Sequence, residues 1–300
     1  MAEKIKIIFL GTSDSVPSAK RNHPAFLLVY EGENILVDCG EGTQRQFRKA
    51  SLNPCKLTRI LITHWHADHI LGIPGLIKTL ALSGYKKTLY VYGPIGTKFL
   101  MESLLKLFAV QNNFKIEIKE VSGKFFENKD FYLEAESMTH KTPCNAYNFV
   151  KKGRIRIDKA KLRKFKIKEG PHLKDLKQGK SIKYNGKLYS AKNLVFKTED
   201  KKISFALDTS LNTKLNKFVR NSDAFVCEAS YLDELKELAK KHNHLTSRQA
   251  AEISKKAKVK KLFLVHISQR YEKSYEKILS EAKKVFKNSV IPQDLDVIEV

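Results

Sequence analysis

The sequence predicts an α/β protein with its functional groups gathered at one end of packed strands. Three observations carry this reading. Short apolar runs alternate with amphipathic helical patterns along most of the chain. Six of the runs lead into a polar residue of catalytic type, namely Asp38, His64, His140, Asp208, Glu228 and His266, as a site on the rim of a sheet requires. One stretch, Lys151 to about Phe196, breaks the pattern with concentrated positive charge.

The chain has 300 residues, 42% of them hydrophobic, enough for one large domain or two ordinary ones. No run approaches the roughly 18 apolar residues of a membrane span. The start, MAEKIKIIFLGTS, lacks a small-residue cleavage site and reads as a first strand rather than a signal peptide. Four cysteines without C-x-x-C pairing argue against a disulfide scaffold and for a reducing cytoplasm. Fifty-six Lys and Arg against 32 Asp and Glu give a net charge of +24, and a large polyanion such as nucleic acid is the natural partner.

In chain order, Ile5–Leu10 is a strand running into GTSDSVPSAKRN, a loop of turn-forming residues. Ala25–Tyr30 and Asn34–Val37 make a hairpin around Glu31-Gly32-Glu33. The second of these strands delivers Asp38-Cys39-Gly40-Glu41-Gly42-Thr43, whose glycines point to tight backbone beside a site. A helix follows over Gln44–Ala50. Ile60–Ile62 is a buried strand ending in T-H-W-H-A-D-H. There His64 and His66 face one side of an extended backbone, while Asp68 and His69 turn to a second point. Four metal-capable side chains in six residues suit two adjacent ions better than one, because a tetrahedral site does not readily take four ligands from so short a loop.

Gly72 to Leu82 is then a helix, Thr88–Gly93 a strand, Gly96–Phe108 an amphipathic helix, and Ile116–Val121 and Phe131–Ser137 strands, the last leading to His140. Residues 151–200 hold 17 basic against 5 acidic residues. Leu162, Leu173 and Leu176 recur within them, so the segment folds rather than dangles. It reads as a strand, a short helix, Gly170-Pro171, a second helix and a hairpin turning at Asn185-Gly186, with His172 an ordinary exposed residue. Beyond it come strands at Lys202–Leu207, Ala224–Cys227 and Lys261–Val265, each pointing at Asp208, Glu228 or His266. Helices fall at Tyr231–Lys241, Ser247–Lys256 (with Thr246 able to cap it) and Tyr275–Lys287, and Leu295–Val300 closes as an edge strand. The domain expectation is a catalytic domain over 1–150 and 197–300 with an inserted arm over 151–196.

The H-x-H-x-D-H run at His64–His69 resembles the signature of the metallo-β-lactamase superfamily. F-L-G-T…V-P-S near the start and D-C-G-E-G-T-Q before the metal motif narrow the likeness to the ribonuclease Z family in its short form, from about Lys6 to Tyr271. The chain departs from that family in carrying Ser13-Asp14-Ser15 where G-x-G is usual, in setting Lys20 one position late within Pro17–Asn22, and in placing Leu207 and Leu211 around Asp208-Thr209. The resemblance implies an αββα sandwich of two mixed sheets flanked by helices. It implies a cytoplasmic homodimeric endonuclease that removes the 3′ trailer of precursor tRNA, leaving a tRNA 3′-hydroxyl and a trailer 5′-phosphate. It also implies that Lys20, Arg21 and Asn22 meet the RNA end, beside His23, and that the arm with Gly170 and Pro171 grips the tRNA body.

Two zinc ions per subunit, with manganese or iron as alternatives, would take His64, His66 and His140 on one side and Asp68, His69 and His266 on the other. Asp208 bridges them, since a carboxylate has two oxygens. Asp68 also serves as local base. His244, in an H-x-T motif resembling the family's acid donor, is expected to protonate the departing oxygen with Glu228 orienting it; His242 is a surface residue. Two rivals use the same residues differently. One is a small-molecule phosphodiesterase or thioesterase, which leaves the basic arm without a purpose. The other is an RNA-binding protein with structural zinc only.

Overall fold

A computed structural model describes residues 4–300, so the first three residues of the expected catalytic domain lie outside the described residues. The N-terminal strands β1 (Lys6–Gly11), β2 (Ala25–Tyr30) and β3 (Glu33–Val37) form an antiparallel meander. The chain then runs parallel through β4 (Arg59–Leu61), β5 (Leu89–Gly93) and β6 (Ile116–Glu120). Parallel neighbours need crossovers, and helices Thr43–Lys49, Ile73–Leu82 and Thr97–Leu107 supply them. Those helices bury Phe47, Leu76, Ile77 and Met101 against Leu36, Ile60 and Val91.

The second sheet begins with β7 (Gly123–Glu127), β8 (Phe131–Met138) and β9 (Cys144–Lys151). An insertion follows, holding β10 (Ile155–Ile157), β11 (Ile182–Tyr184), β12 (Lys187–Tyr189) and β13 (Val195–Lys197). The sheet is completed by β14 (Lys201–Ala206), β15 (Ala224–Glu228), β16 (Leu262–Val265) and β17 (Ser289–Val290), in the order β17-β16-β15-β14-β9-β8-β7. The last strand, β18 (Val297–Glu299), returns to pair antiparallel with β1 at the edge of the first sheet. Helices Ser247–Lys256 and Tyr275–Val285 cover the outer face of the second sheet through Ala250, Ile253, Ile278 and Ala282. Between the sheets, Phe9 meets Phe263 at 5.5 Å and Phe26 meets Phe205 at 6.2 Å between ring centroids. This is the αββα sandwich. Strands β14, β15 and β16 run parallel in neighbouring registers, so their C-terminal ends line up on one rim.

Several elements differ from the sequence reading. Strands β7 and β9, helix Thr213–Phe218 and β17 carry no clean period. In β9 (CNAYNFVK), Asn145 and Asn148 interrupt the apolar pattern, yet both are buried and bonded. Asn145 donates to Val121 O at 2.9 Å, and Asn148 donates to Phe218 O while accepting from Ser204 Oγ at 2.5 Å. The helix expected from Tyr231 begins only at Lys236, after a 3₁₀ turn, because Tyr231 is drawn into a bridge with Thr246.

The chain divides into two compact units, and the smaller spans 127–132 and 150–201, wider than the expected 151–196. Within it β10 pairs antiparallel with β13 and β11 with β12. Leu162, Ile167, Leu173, Leu176, Ile182, Ala191 and Leu194 form its own small core. Asp158 caps helix Lys159–Lys164 by accepting from Ala160 and Lys161 N–H. His172, expected to be exposed, is half-buried, its ring 5.1 Å from that of Tyr184.

Candidate metal centre

The centre is assembled where strands of both sheets end. β4 stops at Leu61, the chain bends at Thr63, and His66, in extended backbone, precedes a single helical turn, Ala67–Ile70, carrying Asp68 and His69. The change from extended to helical backbone sends the two pairs of side chains to two adjacent points, as the spacing predicts. From the second sheet, β14 delivers Asp208 two residues past its end and β16 delivers His266 immediately past its own. Both residues, and Asp38 after β3, adopt left-handed backbone with φ of 41°, 55° and 56°. Such conformations cost non-glycine residues of order 1–3 kcal/mol and gather at functional sites; here they turn the side chains off the strands' alternation.

The seven expected ligands converge. His66 Nδ1 lies 2.9 Å from His64 Nε2 and 3.2 Å from His140 Nε2, while Asp208 Oδ2 is 3.6 Å and 3.8 Å from His64 and His140. On the other side, His69 Nε2 is 3.1 Å from Asp68 Oδ2, and His266 Nε2 is 3.4 Å from the same oxygen. Asp208 Oδ1 faces this second set at 3.5 Å and 3.2 Å. The two oxygens of one carboxylate therefore address two clusters, each compact enough to hold a metal ion. His69 Nε2 and Asp208 Oδ1 are buried without any hydrogen-bond partner. A buried carboxylate oxygen left without a partner is costly unless something cationic lies beside it, and with His69 Nε2 facing the same point these residues fit the metal that the fold family implies.

The outer nitrogens of His69, His140 and His266 are also fixed. Asp38 Oδ2 accepts from His69 Nδ1 at 2.6 Å and from Thr63 Oγ1 at 2.7 Å, and its Oδ1 accepts from Thr63 N–H at 2.7 Å. His140 Nδ1 donates to Asn243 O at 3.2 Å, and His266 Nδ1 meets Ser230 Oγ at 3.2 Å. Engaging the outer nitrogen sets the tautomer and leaves the inner one for coordination. Burial raises the Asp38 carboxyl above its ordinary range against the pull of His69. At His69 burial opposes charge, but Asp38, Asp208 and Asp68 outweigh it and hold the imidazolium well above the usual range. Asp208, for all its burial, is kept strongly acidic by His266, His69 and His64.

Beside the ligands, His244 Nδ1 contacts both oxygens of Glu228, at 3.0 Å and 3.2 Å. Burial opposes the charge on His244, yet Glu228 raises its pKa to about 9. Glu228 is fully buried and also accepts from Thr209 N–H, Leu245 N–H and Ser230 Oγ. The loop carrying His244 is clamped at both ends. Asn243 closes helix Lys236–His242 in left-handed backbone, and Thr246 opens helix Ser247–Lys256 with a capping box. With Nδ1 spent on Glu228, His244 presents Nε2, its ring stacked on His266 at 5.5 Å and 5.6 Å from His140. His242 stands apart on the preceding helix, half-buried.

The remaining expected residues scatter. Lys20 is exposed. Arg21 is turned inward, donating to Thr12 Oγ1 and Pro292 O, and Asn22 donates to Glu41 O. His23 packs its Cβ where a side chain at Gly40 would project, with Asp68 O equally close, so only glycine fits position 40. Gly170 and Pro171 belong to the smaller unit. Sequence reasoning left Asp38, Thr63, Ser230 and Asn243 without roles. For Asp38 a signal existed in its place at a strand end before a glycine pair; for the other three there was none.

A family model described as the anti-Pycsar protein Apyc1 matches residues 5–285. A protein named ribonuclease Z from Nanoarchaeum equitans is 36% identical over 293 residues, covering 98% of this chain and 92% of its own. Another of that name from Methanothermobacter thermautotrophicus is 35% identical, covering 99% and 97%. Human tRNase Z, short form, superposes with a TM-score of 0.71 at 25% identity over 98% of both chains. The metallo-β-lactamase fold protein YhfI from Bacillus subtilis gives 0.71 at 18% identity over 99% of this chain and 100% of its own, a likeness of fold.

Proposed function

We propose that the chain, which belongs to the ribonuclease Z family by its 34–36% identical relatives and also matches the Apyc1 family model, cleaves the 3′ trailer from precursor tRNA. It is a metal-dependent endoribonuclease of the metallo-β-lactamase superfamily. The observation that carries the reading is one buried carboxylate, Asp208, shared between two His/Asp clusters beside the His244–Glu228 pair. We assign His64, His66 and His140 to one zinc ion, Asp68, His69 and His266 to a second, and Asp208 to both, with manganese or iron as substitutes. When bound, such a pair supplies Lewis acidity toward phosphate oxygens and makes hydroxide available at neutral pH.

The chain's own residues perform the rest. Asp68 accepts a hydrogen bond from the attacking water and aims it at phosphorus. As the bond from phosphorus to the tRNA 3′ oxygen breaks, His244 Nε2 gives that oxygen its proton, so the tRNA leaves with a 3′-hydroxyl and the trailer keeps the 5′-phosphate. Glu228 holds the imidazolium in place. The smaller unit, with Gly170 and Pro171, grips the tRNA body through phosphates, recognising shape rather than sequence. Of the three loop residues expected to meet the RNA end, Lys20 reaches it, while Arg21 and Asn22 hold the loop in shape. Exposed Ile95, Phe99, Leu107 and Phe108 around helix Thr97–Leu107 support a second copy of the chain as partner, and four free thiols suit a reducing cytoplasm.

The test is end mapping. Incubated with a CCA-less precursor, the enzyme is expected to give a tRNA ending at the discriminator with a 3′-hydroxyl, and cleavage should stop on chelation and return with zinc. Cleavage that persists in chelator, or products ending in a 2′,3′-cyclic phosphate, overturn the proposal.

A further inference from the structure

Of the five histidines in the two clusters, four are held from behind. Thr63 Oγ1 lies 3.1 Å from His64 Nδ1, and Asp38, Asn243 and Ser230 engage the outer nitrogens of His69, His140 and His266. His66 is the exception. Among the described residues its ring nitrogens meet only His64 and His140, members of its own cluster. It is also half-buried, where His64 and His69 are buried completely. A ligand ring with nothing behind it must take its aim from the backbone that carries it.

That backbone is tied down one residue earlier. His64 and His66 both turn into the cluster, so the side chain between them leaves on the other side. There Trp65 Nε1 donates to Thr97 Oγ1 at 2.9 Å, and the indole packs on the apolar core of the first sheet and its helices. Thr97 is fully buried and begins helix Thr97–Leu107. Its seat is fixed in turn. Thr97 N–H donates to Pro94 O at 3.1 Å, and Glu120 Oε1, at the end of β6, accepts from Gly96 N–H at 3.0 Å and Lys98 N–H at 3.2 Å. A Cβ at Gly93 would collide with the Thr97 side chain, so only glycine at the end of β5 leaves the hydroxyl its place. The indole N–H, which can donate once and accept nothing, is thus bonded to a fixed point of the first sheet.

We propose that Trp65 and Thr97 are the positioning residues for His66, pinning its backbone from outside and so setting how tightly the His64, His66 and His140 cluster holds its ion. The inference rests on the two-ion reading above. A hydrogen bond placed directly behind a ligand changes metal affinity roughly 10- to 100-fold. This bond acts one residue away, through the chain, so the lower end of that range is expected.

The experiment measures zinc uptake by the metal-free protein against a competing chelator. Emission from Trp65, the single tryptophan of the chain, is read in the same titration. Thr97→Val keeps the shape of residue 97 and removes the acceptor. It is expected to weaken uptake of one ion about tenfold, leave the other within about twofold, and shift the emission of the metal-free protein. The loss should persist in a His266→Ala background, which disables the other cluster. Trp65→Phe, which removes the donor instead, should repeat it, and Thr97→Ser, which restores a hydroxyl, should bind zinc as wild type does. Unchanged uptake in both Thr97→Val and Trp65→Phe overturns the proposal even if both melt at lower temperature, because the bond is then a contact of the fold alone. A loss shared equally by the two ions, or one that vanishes in the His266→Ala background, overturns it as well. In those cases the two-ion reading stands, whereas wild-type protein that takes up no zinc overturns that reading and the proposal with it.

Discussion

The metal centre and the basic unit solve opposite physical problems. The centre draws its ligands from positions as far apart as His64 and His266, and buries His64, His69, Asp208 and His266 to 3% exposure or less. Its groups must be aimed to within a fraction of an ångström, and Asp38, Thr63, Ser230 and Asn243 hold His69, His266 and His140 in place. The smaller unit joins a short segment, 127–132, to the longer 150–201 and has a seven-residue core of its own and a lysine-rich sequence. Holding a polyanion needs charge in roughly the right place, and a few ångströms of error cost little.

That contrast can be broken most severely at Asp208. Asp208→Ala removes the one side chain common to both clusters and should lower cleavage of precursor tRNA and of bis(p-nitrophenyl) phosphate alike, by about 10³-fold or more. Elemental analysis is expected to show metal lost with it. A variant that keeps full metal content and activity on both substrates would show the clusters to be unconnected.

Excising the insertion sharpens the comparison from the other side. Arg154 and Thr198 already exchange hydrogen bonds, with Thr198 N–H donating to Arg154 O at 3.0 Å, so residues 155–197 can be replaced by a short Gly-Ser turn. Precursor cleavage should drop about 10²-fold or more through KM, with turnover of the small phosphodiester within about twofold of wild type. Equal losses on both would mean that the insertion supports the centre rather than the substrate.

His244 tests the boundary between aiming and holding. His244→Ala should slow RNA cleavage by about 10²- to 10⁴-fold but touch bis(p-nitrophenyl) phosphate far less, because p-nitrophenolate departs without a proton. Metal content should be unchanged. Loss of metal in this variant would identify His244 as a ligand instead, an outcome its place near Asp208 and His266 makes worth measuring.

Much of this was legible before any coordinates. The H-x-H-x-D-H spacing dictates two coordination points because extended and helical backbone diverge at Ala67. A lone acidic or histidine residue at a strand end is meaningful because parallel strands share a rim, and Asp208 and His266 stand at such ends. Thr246 betrayed its cap by type and place. What stayed hidden depended on partners distant in sequence. β9 hides its strand because Asn145 and Asn148 are satisfied only by Val121, Phe218 and Ser204, so their polarity reads locally as loop. Arg21 looked like a hand for RNA, and only the packed loop shows its guanidinium committed to Thr12, Pro292 and the Tyr275 ring.

The sequence by itself therefore pointed to the residues that gather at the rim, to a basic segment set apart from the α/β framework, and to the loop that carries His244, since all three are written in residue types and short spacings. The tertiary structure alone decided which oxygen of Asp208 faces which cluster, that Asp38 orients His69, and that the Trp65 indole meets Thr97. Those are matters of where separate segments meet, and strand order and side-chain packing, which no local pattern encodes, set the meeting.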